Sequence, residues 1–228
     1  MKTIANVSLF ALCMLFFAHT PTQAQSKELS PFDHIRVTGN IQVFIQEGES
    51  ESIRLEVSGI PEDDISVKVS RGTLKLKMVK SIFYKNEDVK AYVTYRKLRG
   101  MRASAGATIE AQNTMQVDQI EVRAGSGSWI LAEVNADMLE GTATEGGVLK
   151  LRGNAESEKI SVATGGQCDC EKLKTERAYV RANTGGQATV YVTETLEASA
   201  NTGGGIKYAG NPRSTEIKEL MSGGVEKI

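Results

Sequence analysis

The sequence has few of the residues on which catalytic and metal sites usually depend. Its 228 residues include 2 histidines, 1 tryptophan, 4 prolines and 3 cysteines, against 22 glycines. His19 falls in a segment that we expect to be removed, so the mature chain keeps only His34. A single histidine excludes multi-histidine metal sites and makes a histidine-based catalytic triad a poor candidate. We therefore expect no metal site and no cofactor.

The charge balance also excludes some partners. The 27 basic and 28 acidic residues nearly cancel, and they give a formal net charge of −1. A protein that binds nucleic acid or an anionic membrane through its overall charge would carry a clear basic excess. We expect no nucleic-acid partner.

The first 24 residues have the pattern of a secretory signal peptide. Lys2 gives a positive start, residues 4–18 are mostly apolar, and Thr22 and Ala24 place small residues where a signal peptidase cleaves. The apolar stretch is too short for a membrane-spanning helix, and no long apolar segment follows it. We predict cleavage after Ala24, a short lead-in over residues 25–30, and export to the periplasm or the cell surface.

After cleavage two cysteines remain, Cys168 and Cys170. On a strand both would face one side, about 6.6 Å apart at a rise of about 3.3 Å per residue. That separation is the outer limit of disulfide geometry, so a bridge between them would be strained. A zinc site would need two further ligands that the sequence does not supply. We favour the interpretation that both are small buried residues of the core.

Residues 31–100 show the strict alternation of β-strands. Apolar residues recur at every second position in runs such as residues 41–45, 65–69 and 74–78, and polar residues stand between them. Turn residues such as Gly39-Asn40 and Arg71-Gly72 separate the runs. No stretch of the mature chain has helical periodicity with caps. The fold class is therefore predicted to be all-β.

From residue 101 the pattern becomes a repeat marked by glycine. The first glycine of each mark stands at positions 106, 127, 146, 165, 185, 203 and 223, with spacings of 21, 19, 19, 20, 18 and 20. A period near twenty is typical of one turn of a β-solenoid, or β-helix, whereas a propeller blade needs about twice that. We predict one continuous solenoid over residues 31–228, with a strand-rich part (31–100) and a repeat part (101–228). The alternative is that residues 31–100 fold as a separate cap.

Columns of apolar residues support this prediction. Three residues before each glycine the chain has Ala103, Ala124, Ala143, Val162, Ala182, Ala200 and Leu220, and three residues after it has Ile109, Ile130, Leu149, Cys168, Ala188, Ile206 and Glu226. Stacked turns would line these residues up as ladders inside the solenoid. Asp118, Asp137 and Asp169 share no column in this alignment, so we expect no stack of carboxylates. The charged residues 153–159, 171–177 and 193–197 are expected to be solvated edges.

Polar residues next to the glycines form a candidate binding strip. Its members are Ser126, Thr164, Asn183, Thr184, Asn201 and Thr202. Two interpretations remain open: polar residues that stack beside a tight bend, or a regular polar surface that binds a glycan. Trp129 follows one mark, and we expect it to fill the core. An exposed Trp129 would instead suit stacking on a sugar ring.

Several segments of the sequence resemble those of a known family. The opening segment at residues 32–43 (FDHIRVTGNIQV), the strand-rich first third and the later Asn-Thr-Gly-Gly turns resemble the auto-transporter adhesin head GIN domain family. Its members are exported β-solenoid proteins, frequent in Bacteroidetes. The resemblance implies an adhesin-like β-helix at the cell envelope and brings no catalytic site.

Three classes of function follow from these observations. We favour a non-enzymatic envelope protein that binds a glycan or a surface protein. An alternative is a structural or assembly role, in which open solenoid ends pair into homo-oligomers. A less favoured alternative is a polysaccharide-active β-helix enzyme, which would need carboxylates gathered on neighbouring turns.

Overall fold

A computed structural model describes residues 26–79 and 88–228. The predicted signal peptide and cleavage site lie outside these residues. The structure is 71% strand and forms a β-solenoid of about 7 turns of about 19 residues, which confirms the predicted fold class. Among the described residues no helix is long and apolar enough to cross a membrane.

The elements follow in chain order. The strands are β1 (Lys27–Glu28), β2 (His34–Thr38), β3 (Gln42–Glu47), β4 (Ser52–Ser58), β5 (Ile65–Ser70), β6 (Thr73–Met78), β7 (Asp88–Tyr95), β8 (Gly100–Ser104), β9 (Thr108–Ala111), β10 (Met115–Ala124), β11 (Trp129–Thr144), β12 (Val148–Ala163), β13 (Gln167–Asn183), β14 (Gln187–Asn201), β15 (Gly205–Ala209), β16 (Ser214–Leu220) and β17 (Gly224–Lys227), with a short 3-10 helix at Glu62–Asp64.

The repeat part stacks as parallel coils with two arms each. One arm runs into a glycine corner and the other leaves it, so the long strands β11 to β14 each span the second arm of one coil and the first arm of the next. The predicted columns face inward: Ala103, Ala124, Ala143, Val162, Ala182 and Ala200 are at most 2% exposed, and Ile109, Ile130, Leu149, Cys168, Ala188 and Ile206 at most 3%. The core is therefore a set of continuous ladders along the solenoid axis.

Each corner needs two consecutive residues in the left-handed region. At one corner Thr164 has φ of 50° and Gly165 has φ of 70°. The residue after them lies against the preceding coil, since a Cβ on Gly166 would stand 2.2 Å from the carbonyl oxygen of Ala143. The two glycines of a mark thus serve different purposes: the first permits the turn and the second permits close approach of two backbones.

The last coil is one residue out of step with the predicted alignment. Ala200 pairs with Glu219 rather than Leu220, and Ile206 pairs with Val225 rather than Glu226. The corner residues with positive φ are Met221 and Ser222. Gly223 is the close-approach glycine, because a Cβ on it would stand 2.4 Å from the backbone of Ala200. Taking Gly223 for the turn glycine produced the error.

The first third of the chain joins the same ladders, but not in chain order. The coil of β2 and β3 lies between the coil of β6 and β7 on one side and the coil of β8 and β9 on the other. Beyond the β6–β7 coil, β4 and β5 pair antiparallel with β7 and β6 and cover that end. One end of the solenoid is therefore closed by antiparallel strands.

Candidate functional site

The predicted strip lies along one edge of the solenoid. Ser126, Thr164, Thr184 and Thr202 occupy the first left-handed position of four corners, and all four side chains are exposed. Backbone hydrogen bonds connect successive corners, as when the Gly165 amide donates to the Thr184 carbonyl at 3.2 Å. The coils are therefore stacked in register at this edge, with a spacing close to that of neighbouring strands, about 4.8 Å.

The two asparagines extend this edge towards the first arm. Asn183 and Asn201 are register partners on β13 and β14, and both are half-buried. The Thr202 hydroxyl donates a hydrogen bond of 3.1 Å to the Asn201 side-chain oxygen. The structure thus brings all six predicted residues to one edge. What they bind remains a prediction.

The strip carries one negative charge within it. Glu145 stands at the corner between those of Ser126 and Thr164, and its carboxylate accepts a 2.6 Å hydrogen bond from the Ser126 hydroxyl. Beyond the two ends of the strip, the equivalent corner positions hold Ala105 and Met221. Hydroxyls at three consecutive corners, from Thr164 to Thr202, form its uniform part.

These corner residues occupy a conformation that disfavours them. A left-handed backbone costs a residue with a side chain roughly 1–2 kcal/mol relative to glycine, and β-branched residues such as threonine adopt it rarely. Thr164, Thr184 and Thr202 have φ of 50°, 47° and 49°. Ala105, Glu145 and Met221 adopt the same conformation at other corners, but none of them is β-branched. The use of threonine at three corners therefore favours a role for the hydroxyls.

Trp129 is exposed, and the expectation that it fills the core was wrong. Its side chain is 41% exposed, and the Lys150 ammonium lies 5.4 Å from the centre of its ring. Strand alternation explains the error: the neighbouring Ile130 pairs with Ile109 and Leu149 in an inward column, so Trp129 must face outward. Trp129 lies three residues after Ser126, beside the strip.

We call the strip together with Trp129 and Lys150 the corner surface. The register column of Trp129 continues through the buried Val148 to the exposed Gln167 and Gln187, which places amide side chains on the coils next to Thr164 and Thr184. An aromatic face, a cation and a row of hydroxyl and amide groups therefore share one edge. Of these, the position of Trp129 is the element that sequence reasoning placed wrongly.

An acidic column was missed entirely. Asp118, Asp137, Glu156, Glu176 and Glu194 line a groove of about 750 Å³ at the corner opposite the glycines. Asp118 and Asp137 follow the register partners Val117 and Ala136, so they do share a column, contrary to expectation. Their spacings of 19, 19, 20 and 18 residues match the repeat and were a usable signal.

Arginines partly neutralise that column. Arg177 lies 3.8 Å from Glu156 and 3.9 Å from Glu176, and Arg213 lies 3.2 Å from Glu194. Within residues 26–79 and 88–228 no three acidic, histidine or cysteine side chains are placed to hold a metal ion. We assign the column no ligand.

A carboxyl group is buried inside the solenoid. Glu158 was expected in a solvated edge, but it is 0% exposed, and its register partners on the coils before and after are Leu139 and Ala178. Neither carboxyl oxygen has a hydrogen-bond partner among the described residues. Burial raises the pKa of Glu158 to about 8. The Thr175 hydroxyl, which donates to the Leu173 carbonyl at 3.4 Å, lies near the carboxyl group and lowers this pKa only in part. Glu158 is therefore mostly protonated at neutral pH.

Comparison with known proteins supplies a family and a fold. The family model described as "Putative auto-transporter adhesin, head GIN domain" matches residues 31–212. A comparison with curated proteins found no match.

Three solved structures illustrate the likeness. A "putative adhesin" from Bacteroides fragilis has a TM-score of 0.79 at 18% identity, and one from Parabacteroides distasonis has 0.71 at 18%. A "Putative lipid binding protein" from Parabacteroides distasonis has a TM-score of 0.66 at 19% identity. Each likeness covers 90% of this chain and 95% of the other. At these identities the structures establish the fold alone.

Proposed function

The chain belongs to the family described as "Putative auto-transporter adhesin, head GIN domain", and from that premise we propose that it is an exported, non-enzymatic, adhesin-like protein of the cell envelope that binds a glycan. The observation that carries the proposal is the half-exposed Trp129 beside the polar strip. The family description favours a binding protein over an enzyme.

The chemistry of the corner surface suits a carbohydrate polymer. The exposed face of an indole ring stacks on the apolar face of a sugar. Lys150, 5.4 Å from the ring centre, offers a cation to hydroxyl or carboxylate groups of the same sugar. Threonine hydroxyls at three consecutive corners, from Thr164 to Thr202, present donors and acceptors at a regular interval, which matches a ligand that is itself a repeat.

Intrinsic fluorescence tests this proposal directly, because Trp129 is the only tryptophan of the chain. We expect polysaccharides of the cell surface or matrix to shift and quench its emission in a saturable way. By calorimetry the variant Trp129→Ala should lose at least about tenfold in affinity, or about 1.4 kcal/mol. Tyr179→Ala is a matched control, since Tyr179 is a 39% exposed aromatic on the first arm, away from the corner.

Two outcomes would count against glycan binding at this edge. One is that a broad set of polysaccharides leaves the emission of Trp129 unchanged. The other is that Trp129→Ala and Tyr179→Ala bind equally well.

Export has its own test. The mature protein should begin at Gln25, which N-terminal sequencing of the protein from the envelope fraction would reveal. Protease treatment of intact cells, with permeabilised cells as control, then separates the two locations. Loss of the protein from intact cells indicates the surface, and loss only after permeabilisation indicates the periplasm and removes the adhesin role.

A second candidate function is assembly through the uncovered end of the solenoid. β16 pairs with β14 and β17 pairs with β15, and no described strand pairs with their outer edges. All seven residues of β16 are exposed, including Ile217 at 42%. Antiparallel pairing of β16 with a second copy, centred on Ile217, would set Glu216 of each copy opposite Lys218 of the other. This charge complementarity favours a second copy of the chain as the occupant.

A further inference from the structure

Two thiols meet in the core within a single coil. Cys168 and Cys170 both face inward on β13, and they are 3% and 0% exposed. Both are free thiols, and their sulfur atoms lie 3.0 Å apart. A disulfide bond of about 2.05 Å therefore requires the sulfurs to approach by about 1 Å.

The backbone beside Cys170 is less constrained than that of a regular strand. On one side the pairing of β12 with β13 shifts register between Lys150 and Arg152. On the other side the pairing of β13 with β14 shifts between Cys170 and Lys174. Such a bulge bends the strand and releases ladder hydrogen bonds. The span between alternate Cα atoms, which is marginal for a disulfide on a regular strand, can therefore shorten here.

The Cys170 thiol is held in its protonated form. The hydrogen bond with Cys168, and next to it burial, raise the pKa of the Cys170 thiol well above its ordinary value. Cys170 therefore keeps its proton, and its sulfur lies within hydrogen-bond distance of the Cys168 sulfur. Cys168 lies two residues after the corner glycine Gly166 and is the slightly more exposed of the pair. Cys168 is thus the sulfur that an external reagent meets first.

We propose that Cys168 and Cys170 form a reversible disulfide inside the solenoid by exchange with an external disulfide. The Cys168 thiolate attacks one sulfur of the reagent and releases the first thiolate. Cys170 then gives up its proton, attacks the Cys168 sulfur and releases the second thiolate. The pair loses two electrons and two protons, and the reagent becomes two thiols. Because both sulfurs are buried, the exchange proceeds through local opening at the bulge.

The test is a redox titration of the intact folded protein. The protein is equilibrated with mixtures of oxidised and reduced glutathione, quenched with acid, denatured and alkylated. We expect a product two hydrogen atoms lighter that takes up no alkylating reagent, and full return of both thiols on reduction. If both cysteines are alkylated at every glutathione ratio, the proposal is overturned.

A variant that moves the pair by one coil is the matched control. Cys168→Ala and Cys170→Val combined with Ala188→Cys and Val190→Cys keep the composition and place the thiols on β14. This strand faces the same register shift at Val190 and Tyr191, but it carries none of the extra residues, and it pairs in unbroken register with β15. Half-oxidation of this variant should require a higher glutathione ratio than half-oxidation of the native protein, by about tenfold, because its cysteines lie on a regular strand. The ratio is the concentration of oxidised glutathione divided by the square of the concentration of reduced glutathione. If both proteins are half-oxidised at the same glutathione ratio, the proposed role of the bulge is overturned.

Single-cysteine variants test which of the two sulfurs an external reagent reaches more readily. Cys170→Ala should form a mixed disulfide with glutathione at Cys168 faster than Cys168→Ala forms one at Cys170. The reverse order would overturn the assignment of Cys168 as the first nucleophile.

Discussion

At the scale of single residues, two side chains contradict the usual rule that polarity decides exposure. Glu158 is charged by type and fully buried, whereas Trp129 is apolar and 41% exposed. In both cases the parity of the position along the strand decides which way the side chain points. A sequence reading based on residue type misplaced both. A reading based on parity from the neighbouring inward columns would have placed both correctly.

The buried carboxyl of Glu158 makes the stability of the fold depend on pH. Its pKa rises from 4.5 to about 8 on folding. The folded-state pKa lies above the unfolded one. The contribution of Glu158 to the free energy of unfolding is therefore fully present below pH 4.5, falls as the pH rises from 4.5 to about 8, and stays low above about 8. The shift corresponds to roughly 4–5 kcal/mol at about 1.36 kcal/mol per pKa unit.

Glu158→Gln should remove most of this dependence, because the amide keeps the shape without the charge. Urea unfolding at about pH 5 and at about pH 9 should show a large loss of stability for the native protein and a small one for the variant. Glu156→Gln is the control, since Glu156 is exposed on the same strand. Parallel pH profiles for all three proteins would contradict the assignment.

At the scale of the coil, the glycine corner explains which parts of the fold were predictable. Period-two alternation on both sides of a mark, repeated about every twenty residues, was sufficient to predict the inward columns from Ala103 to Ala200. The last coil failed because Gly223 and Gly224 resemble a complete mark, although the turn there uses Met221 and Ser222. Glycine alone does not reveal whether it serves the turn or the close approach.

Two adjacent glycines provide the test of that distinction. Gly166→Ala places a Cβ 2.2 Å from the Ala143 carbonyl oxygen, whereas Gly165→Ala meets no atom within 4 Å. We expect Gly165→Ala to cost about 1–2 kcal/mol through its left-handed φ, and Gly166→Ala to cost more than about 3 kcal/mol. Thermal and urea unfolding measure both. Equal losses would show that the preceding coil yields to the added methyl group.

At the scale of the whole molecule, the two ends of the solenoid differ. Antiparallel β4 and β5 cover one end, while the coil of β16 and β17 leaves the other end uncovered by any described strand. The outer edge of that coil presents backbone donors and acceptors together with the apolar Ile217, Leu220 and Met221. An uncovered parallel edge of this kind favours pairing with another chain.

Sedimentation velocity over a range of concentrations tests whether two copies pair there. We expect a concentration-dependent dimer for the native protein and a monomer for Ile217→Lys, which places a charge at the centre of the pairing. Met138→Lys is the control, since Met138 is 49% exposed on β11, away from the end coil. A native protein that stays monomeric, or a dimer that survives Ile217→Lys, would contradict end-to-end assembly.

The position of the β2–β3 coil determines the order in which the first coils can fold. A chain that emerges N-terminus first, from the ribosome or from an export channel, presents residues 34–47 before either neighbouring coil exists, so both edges of this coil are at first unpaired. Only when residue 111 has emerged are both sides paired. Every later coil then adds to a finished surface in the order of synthesis. Whole coils after residue 111 can therefore be gained or lost without rethreading the chain, whereas a change within residues 34–111 alters the order of stacking itself.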